Sequence, residues 1–260
     1  MGDARPSAAL RLLGNATALP ASPRLAADLA APITRPILSA AQAPRPRIGL
    51  LGGTFDPIHV GHLRLARLAR RRLGLEQVLL QPALHPGHRP GPPATAAAHR
   101  AAMVSLATQR DPGLLLLPPE FGVRSNRPTY TVEVLEALVG ILPRRASLFF
   151  LFGLDAFLEL QTWHRWRELS RLATLVVADR PGFGGAAAAA LELRLGRLRR
   201  GRQPPVCWLE GVRSAVSATQ IRQRVRRGLP LAGWVPAAVG RYILKHGLYK
   251  TLITRYKIIR

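Results

Sequence analysis

The chain has 260 residues, and no apolar stretch nears the roughly 20 residues that span a bilayer, while a lone cysteine, Cys207, excludes an internal disulfide. The formal net charge of +24 invites a nucleic-acid partner, but only three of the 38 basic residues are lysines (245, 250 and 257), and the arginines are spread over almost every helical pattern. Diffuse arginine beside abundant alanine reads as compositional bias that also favours capture of anionic substrates. With no aromatic RNP pattern, KH loop or zinc finger, no specific nucleic-acid partner is expected.

Residues 1–46 are rich in Ala, Pro, Arg and Ser, keep no hydrophobic period, and are expected to be a disordered, non-catalytic extension. A basic, Ser-bearing start also fits an organelle transit peptide or a start codon placed too far upstream; no apolar signal core follows it, so a soluble, cytoplasmic protein with no membrane partner is expected. The apolar run 48–51 predicts a buried strand. It leads directly into Gly52-Gly53-Thr54-Phe55-Asp56-Pro57-Ile58-His59-Val60-Gly61-His62, and then into a helix over 60–73 with Leu65, Leu68, Ala69 and Leu73 at helical spacing between arginines.

That junction is a ready anion site. Gly52 and Gly53 allow positive φ and let a phosphate approach the backbone, and the helix start offers unpaired N–H groups and the positive end of its dipole. His59 and His62, three apart, are expected on one face, each donating to a phosphate oxygen. The competing reading is a structural histidine pair or a metal site, although the zinc spacing of His at i and i+4 with an intervening Glu is absent. A Walker loop is excluded because Gly-Lys-Ser/Thr is missing.

Further along, strand 77–81 is followed by a proline-rich loop ending His85-Pro86-Gly87-His88-Arg89, then helix 96–109 and strand 114–117. Pro128-Thr129-Tyr130-Thr131 precedes helix 132–141, with Thr131 as a plausible N-cap. Strand 147–152 runs into Gly153-Leu154-Asp155, at the strand's carboxyl end where open α/β sheets bind ligands. A helical pattern over 155–172 is interrupted near Thr162-Trp163-His164-Arg165-Trp166. Strand 174–178, helix 186–200 and strand 206–209 follow. Val216-Ser217-Ala218-Thr219-Gln220-Ile221-Arg222 then opens helix 218–227: Ser217 caps it, N–H groups near Thr219 face an anion, and Arg222 reaches the same anion one turn on. Helix 235–246 and a tail, 250–260, end the chain. The alternation predicts an α/β, Rossmann-like, doubly wound parallel sheet in a single domain over 47–249.

With those segments in view, the string from Gly52 to His62 resembles the signature of nucleotidyltransferases with an H-x-G-H motif, and Phe55-Asp56-Pro57-Ile58-His59 resembles their nicotinate-nucleotide adenylyltransferase branch. The segments around His88, Tyr130, Gly153, Trp163 and Ser217 resemble the same branch, as do Gly228, Val235-Pro236, Tyr242-Ile243 and Leu248-Tyr249, so the likeness runs with gaps from about Arg47 to Tyr249. It implies an enzyme that joins ATP and nicotinate mononucleotide into deamido-NAD and pyrophosphate, with Mg²⁺ carried on the triphosphate and no metal-ligand set on the protein. On that reading His59, His62 and Arg222 are catalytic. Gly52, Gly53, Thr54, Phe55, Gly61, Gly153, Asp155, Ser217 and Thr219 hold ATP, and His88, Arg89, Tyr130, Thr131 and Trp163 hold the mononucleotide. Arg89 stands where the branch has lysine, Gly87 where it has proline and Ala218 where it has serine.

Some residues keep two readings. Asp155 contacts a ribose or metal-nucleotide, or caps the helix it begins, and the resemblance favours the first. Trp163 is a core indole or a platform for the nicotinate ring, and its polar neighbours favour the platform. Two rival functions are a sister transferase with another phosphate acceptor and a nucleic-acid-binding protein on a degenerate nucleotide fold; intact His59, His62, Ser217 and Arg222 argue against the latter. A homo-oligomer is compatible with the sequence.

Overall fold

A computed structural model describes residues 45–86, 95–123, 128–178, 189–190, 193, 206–211 and 215–250. The expected extension up to residue 44, His88 and Arg89, nearly all of the helix expected at 186–200 and the tail from 251 onward lie outside the described residues.

Six strands form one sheet: β1 (Arg47–Gly53), β2 (Gln77–Pro82), β3 (Leu114–Leu116), β4 (Ser147–Gly153), β5 (Thr174–Ala178) and β6 (Val206–Leu209). Their order is β3-β2-β1-β4-β5-β6, and every neighbouring pair is parallel. The order reverses between β1 and β4, which opens a crevice beyond the carboxyl ends of those two strands.

Side chains alternate along each strand, so one sequence run feeds two cores. Leu51, Val78, Leu80, Phe149, Leu151 and Val176 face one layer, in which α1 (Val60–Arg72), α2 (Ala97–Thr108), α6 (Ala218–Arg226) and α7 (Ala237–Lys245) pack. Ile48, Leu50, Leu79, Phe150, Phe152 and Leu175 face the other, covered by α3 (Thr131–Ile141), α4 (Leu154–Leu158) and α5 (Trp166–Leu172). Continuous apolar runs were therefore the right signal for strands buried on both sides. Gly49 fits this packing closely, because a Cβ there would lie 3.0 Å from Leu75 Cδ1 and 3.1 Å from Val78 Cγ2, so both side chains would have to give way.

The helical pattern over 155–172 is interrupted as expected near Trp163, giving α4, a 3₁₀ turn (Leu160–Thr162) and α5. Arg165, at φ 50°, takes a left-handed backbone at the N-cap of α5, and its guanidinium pairs with Glu136 on α3 and Glu168 on α5, both at 2.6 Å. The arginines are also less diffuse than the sequence suggested: Arg64, Arg67, Arg71, Arg110 and Arg241 surround a groove of about 700 Å³ between α1, α2 and α7. Among the described residues, no helix is long and apolar enough to cross a membrane.

Candidate active site

The loop after β1 is held in an unusual shape. Phe55, rather than either glycine, carries the positive φ (50°), and the Asp56–Pro57 peptide is cis. Gly52 and Gly53, which allow positive φ, do not use it here: they end β1 as strand, and what they contribute is space at the carboxyl edge of the sheet. A left-handed phenylalanine costs on the order of 1 kcal/mol, offset here by burial of its ring, which is 2% exposed and packs edge-on to His62 at 4.9 Å.

His59 is the N-cap of α1, with extended backbone, and His62 lies in the first turn. Their rings stack at 3.7 Å between centroids. The His59 N–H donates to His62 Nδ1 at 3.3 Å, so in the neutral His62 ring the proton sits on Nε2, which makes that nitrogen a donor. His59 itself is 7% exposed, makes no side-chain cap bond, and has its buried Nδ1 without a partner among the described residues. Burial pushes its pKa down to about 4, so it is neutral at pH 7. No acidic residue occupies the first turn of α1, and its last turn is Arg70-Arg71-Arg72, the arrangement that leaves the N-terminal end attractive to an anion.

The segment that opens α6 reaches the same loop. Ser217 caps the helix as expected, in a reciprocal box with Gln220: Gln220 N–H donates to Ser217 Oγ at 3.3 Å, and Ser217 N–H donates to Gln220 Oε1 at 2.9 Å. Arg222 Nη1 donates to the backbone carbonyl of Asp56 at 2.7 Å and Nη2 to Thr219 Oγ1 at 3.1 Å. Residues 166 positions apart in sequence thus share one hydrogen bond at the loop after β1. A guanidinium has five N–H donors, so two such bonds leave capacity for a phosphate.

Of the residues expected to hold the second substrate, Tyr130 and Trp163 pack against the other layer of the sheet, while His88 and Arg89 lie outside the described residues. A Cβ on Gly52 would be 3.7 Å from Phe150 Cε2; Phe150 stacks on Phe152 at 4.9 Å, and Trp163 lies 6.1 Å from both rings. Trp163 is half-buried against this layer, and Tyr130 stacks near His164 at 4.3 Å. Gly153 and Asp155 are exposed at the end of β4, with Asp155 in the first turn of α4 behind an N-cap at Gly153. Thr131 is not a cap: Tyr130 holds that position without a side-chain bond, and Thr131 is the first helical residue. The neighbouring Thr129 ties this segment to the loop after β2, its Oγ1 accepting from His85 N–H at 3.1 Å and its N–H donating to His85 O at 2.9 Å.

Sequence reasoning assigned no role to the residues that brace the loop. The Asp56 carboxylate is 4% exposed and accepts from Thr95 and Tyr249. Arg100 is 1% exposed and donates to the carbonyls of Thr54, Leu84 and Thr95. Gln81, at the end of β2, donates to Phe121 O at 2.7 Å. The available signal was Arg100 itself, which falls on the same helix face as Met103, Val104 and Ala107, where a charge is costly unless fully bonded.

Comparison with known proteins agrees with this geometry. The cytidylyltransferase-like family matches residues 50–224. A protein of Bordetella petrii named "Probable nicotinate-nucleotide adenylyltransferase" is 41% identical over 204 residues, covering 78% of this chain and 99% of that relative. One of the same name from Symbiobacterium thermophilum is 39% identical over 203 residues, covering 78% and 95%. The chain belongs to the nicotinate-nucleotide adenylyltransferase family. Like the rest of that family it is a nucleotidyltransferase. Two solved structures of the nicotinic acid mononucleotide adenylyltransferase of Plasmodium falciparum, one complexed with NaAD and one with APC, match with TM-scores of 0.62 and 0.61. Each covers 79% of this chain and 98% of its own at 15% identity, a likeness that shows the fold alone.

Proposed function

We propose that this family member transfers the adenylyl group of ATP to the phosphate of nicotinate mononucleotide, giving deamido-NAD and pyrophosphate. A phosphate oxygen of the mononucleotide attacks the α-phosphorus of ATP in line, the new P–O bond forms as the bridge to the β-phosphate breaks, and pyrophosphate carries the charge away. Such a reaction needs alignment and fixed donors more than a covalent nucleophile. His62 donates from Nε2 to the triphosphate. His59, neutral and with a buried nitrogen to satisfy, binds at the same helix tip beside the N–H groups around Gly61. Thr54, Ser217 and Thr219 line the phosphate edge, Arg222 offsets the charge of the leaving group, and Arg89 does so for the acceptor.

The observation that carries this reading is the 2.7 Å bond from Arg222 to the Asp56 carbonyl, which supports one phosphate site built from two distant motifs. The acceptor ring lies against Trp163 with Tyr130 and Thr131 beside it, and Gly153 and Asp155 serve the ATP; His88, outside the described residues, keeps the acceptor role that its motif implies. Among the described residues no group of three His, Cys, Asp or Glu side chains forms a metal cage. The donors at the loop are nitrogen groups suited to phosphate, so Mg²⁺ enters bound to the triphosphate, where it neutralises charge. The cytoplasm, where ATP and mononucleotides are available, is the proposed compartment.

The test is pyrophosphate release from ATP with nicotinate mononucleotide and nicotinamide mononucleotide in parallel. The expected result is a kcat/KM higher for the nicotinate substrate. A preference for the nicotinamide compound, or for neither, would assign the chain to a sister reaction.

A further inference from the structure

Asp56 is the point at which three parts of the chain meet the phosphate loop. Its carbonyl takes the Arg222 guanidinium at 2.7 Å. Its carboxylate Oδ1 accepts from the Tyr249 hydroxyl at 2.7 Å and from the Thr95 hydroxyl at 2.7 Å, and Oδ2 accepts from the Thr95 N–H at 3.3 Å. Arg100 fixes the adjoining backbone through Thr54 O at 2.8 Å. A buried carboxylate is tolerable only when its oxygens are this well supplied with donors, and losing one leaves it under-satisfied in a place where it cannot turn to water.

Tyr249 is built to be that donor. It is 8% exposed and stands beyond α7, after Gly247 at φ 60°; its own φ of 65° turns the side chain back across 193 positions of sequence to the loop. Burial, and then the Asp56 charge, push its pKa far above the ordinary phenol value, so the hydroxyl stays protonated and can only donate toward the carboxylate.

We propose that Tyr249 is a positioning residue for adenylyl transfer: its hydroxyl orients the Asp56 carboxylate, and through it the turn that presents His59 and His62 and carries the carbonyl engaged by Arg222. The inference rests on the adenylyl-transfer reading of the site. Because the hydroxyl touches no reacting atom, its loss changes where the donors sit rather than which donors exist, and misplacement of that kind lowers turnover more than substrate binding.

The test is Tyr249→Phe, which keeps the ring and its packing, measured beside the wild type in the pyrophosphate assay, together with Asp56→Asn and the double variant. Wild-type turnover in the same assay separates the two ideas: if the wild type releases no pyrophosphate the reading of the site fails, whereas if it does and Tyr249→Phe matches it, the positioning role fails. The expected result for Tyr249→Phe is a kcat lowered about 10-fold to 10²-fold, a KM for each substrate within about 2-fold of wild type, and a double variant no slower than the worse single variant. A thermal midpoint that drops while kcat per folded molecule stays at the wild-type value would mean that the hydroxyl only stabilises the fold. Effects of the two single substitutions that multiply in the double variant would show that Tyr249 does not act through Asp56. If Tyr249→Phe does not fold, Asp56→Asn, which keeps the side-chain volume, carries the same expectation for kcat and KM and the same refutation.

Discussion

His59 makes the stability of the fold depend on pH. Its pKa falls from an ordinary 6.5 to about 4 on folding because burial penalises the imidazolium. The unfolded chain therefore binds a proton that the folded chain refuses between those values, and the contribution of neutral His59, complete above about pH 6.5, is lost as pH falls toward 4. The shift corresponds to about 3 kcal/mol over the whole window, of which roughly 2 kcal/mol is gone by pH 5. Urea denaturation at pH 7 and pH 5 should show this loss in the wild type and its absence in His59→Gln; equal pH slopes for the two proteins would contradict it. At this scale the sequence displayed the donors, since His59, His62, Ser217 and Arg222 are recognisable by spacing. It displayed less of their bracing: Arg100 stands out as a charge on an apolar helix face, whereas Asp56, Thr95 and Tyr249 acquire meaning only from contacts that no local pattern encodes.

Elements were legible wherever a local rule decided them. The strands are runs of Leu, Val, Ile and Phe covered on both faces, and their positions follow from apolar content alone; Ser217 and Gln220 give the start of α6 through their capping box. The break between α4 and α5 was legible from the polar run around Trp163, but the pinning of Arg165 by Glu136 from a different helix was not. The strained position of the loop was not legible: Gly52 and Gly53 could have taken a left-handed backbone, yet the strand continues through both and the positive φ falls on Phe55, whose ring is buried. A glycine with a clear packing duty is Gly49 in β1, where a methyl group would press on Leu75 and Val78. Gly49→Ala should lower stability by about 1–3 kcal/mol through overpacking, read as a fall in the denaturation midpoint with an unchanged slope. An unchanged midpoint would mean that the two side chains yield freely.

Across the whole molecule, the strand order places the loop after β1 and the end of β4 side by side, with His59, His62 and Arg222 on one face of the sheet and the Tyr130 and Trp163 rings on the other. Alternating elements in the sequence implied a parallel sheet, but which helix termini would meet was set by the return of α6 and α7 to the β1 side. The same return gathers Arg64, Arg67, Arg71, Arg110 and Arg241, scattered in sequence, around one groove; of these, Arg67 is answered by Asp111 at 2.8 Å. The central claim is that His62 and Arg222 grip a single triphosphate from two directions. It is tested most directly by kcat/KM for ATP in His62→Ala, Arg222→Ala and the double variant. Each single substitution should cost a factor on the order of 10² with the fold retained, and the double variant should lose much less than the product of the two, because both groups serve one anion. Near-normal turnover in either single variant, or losses that simply multiply, would contradict the account.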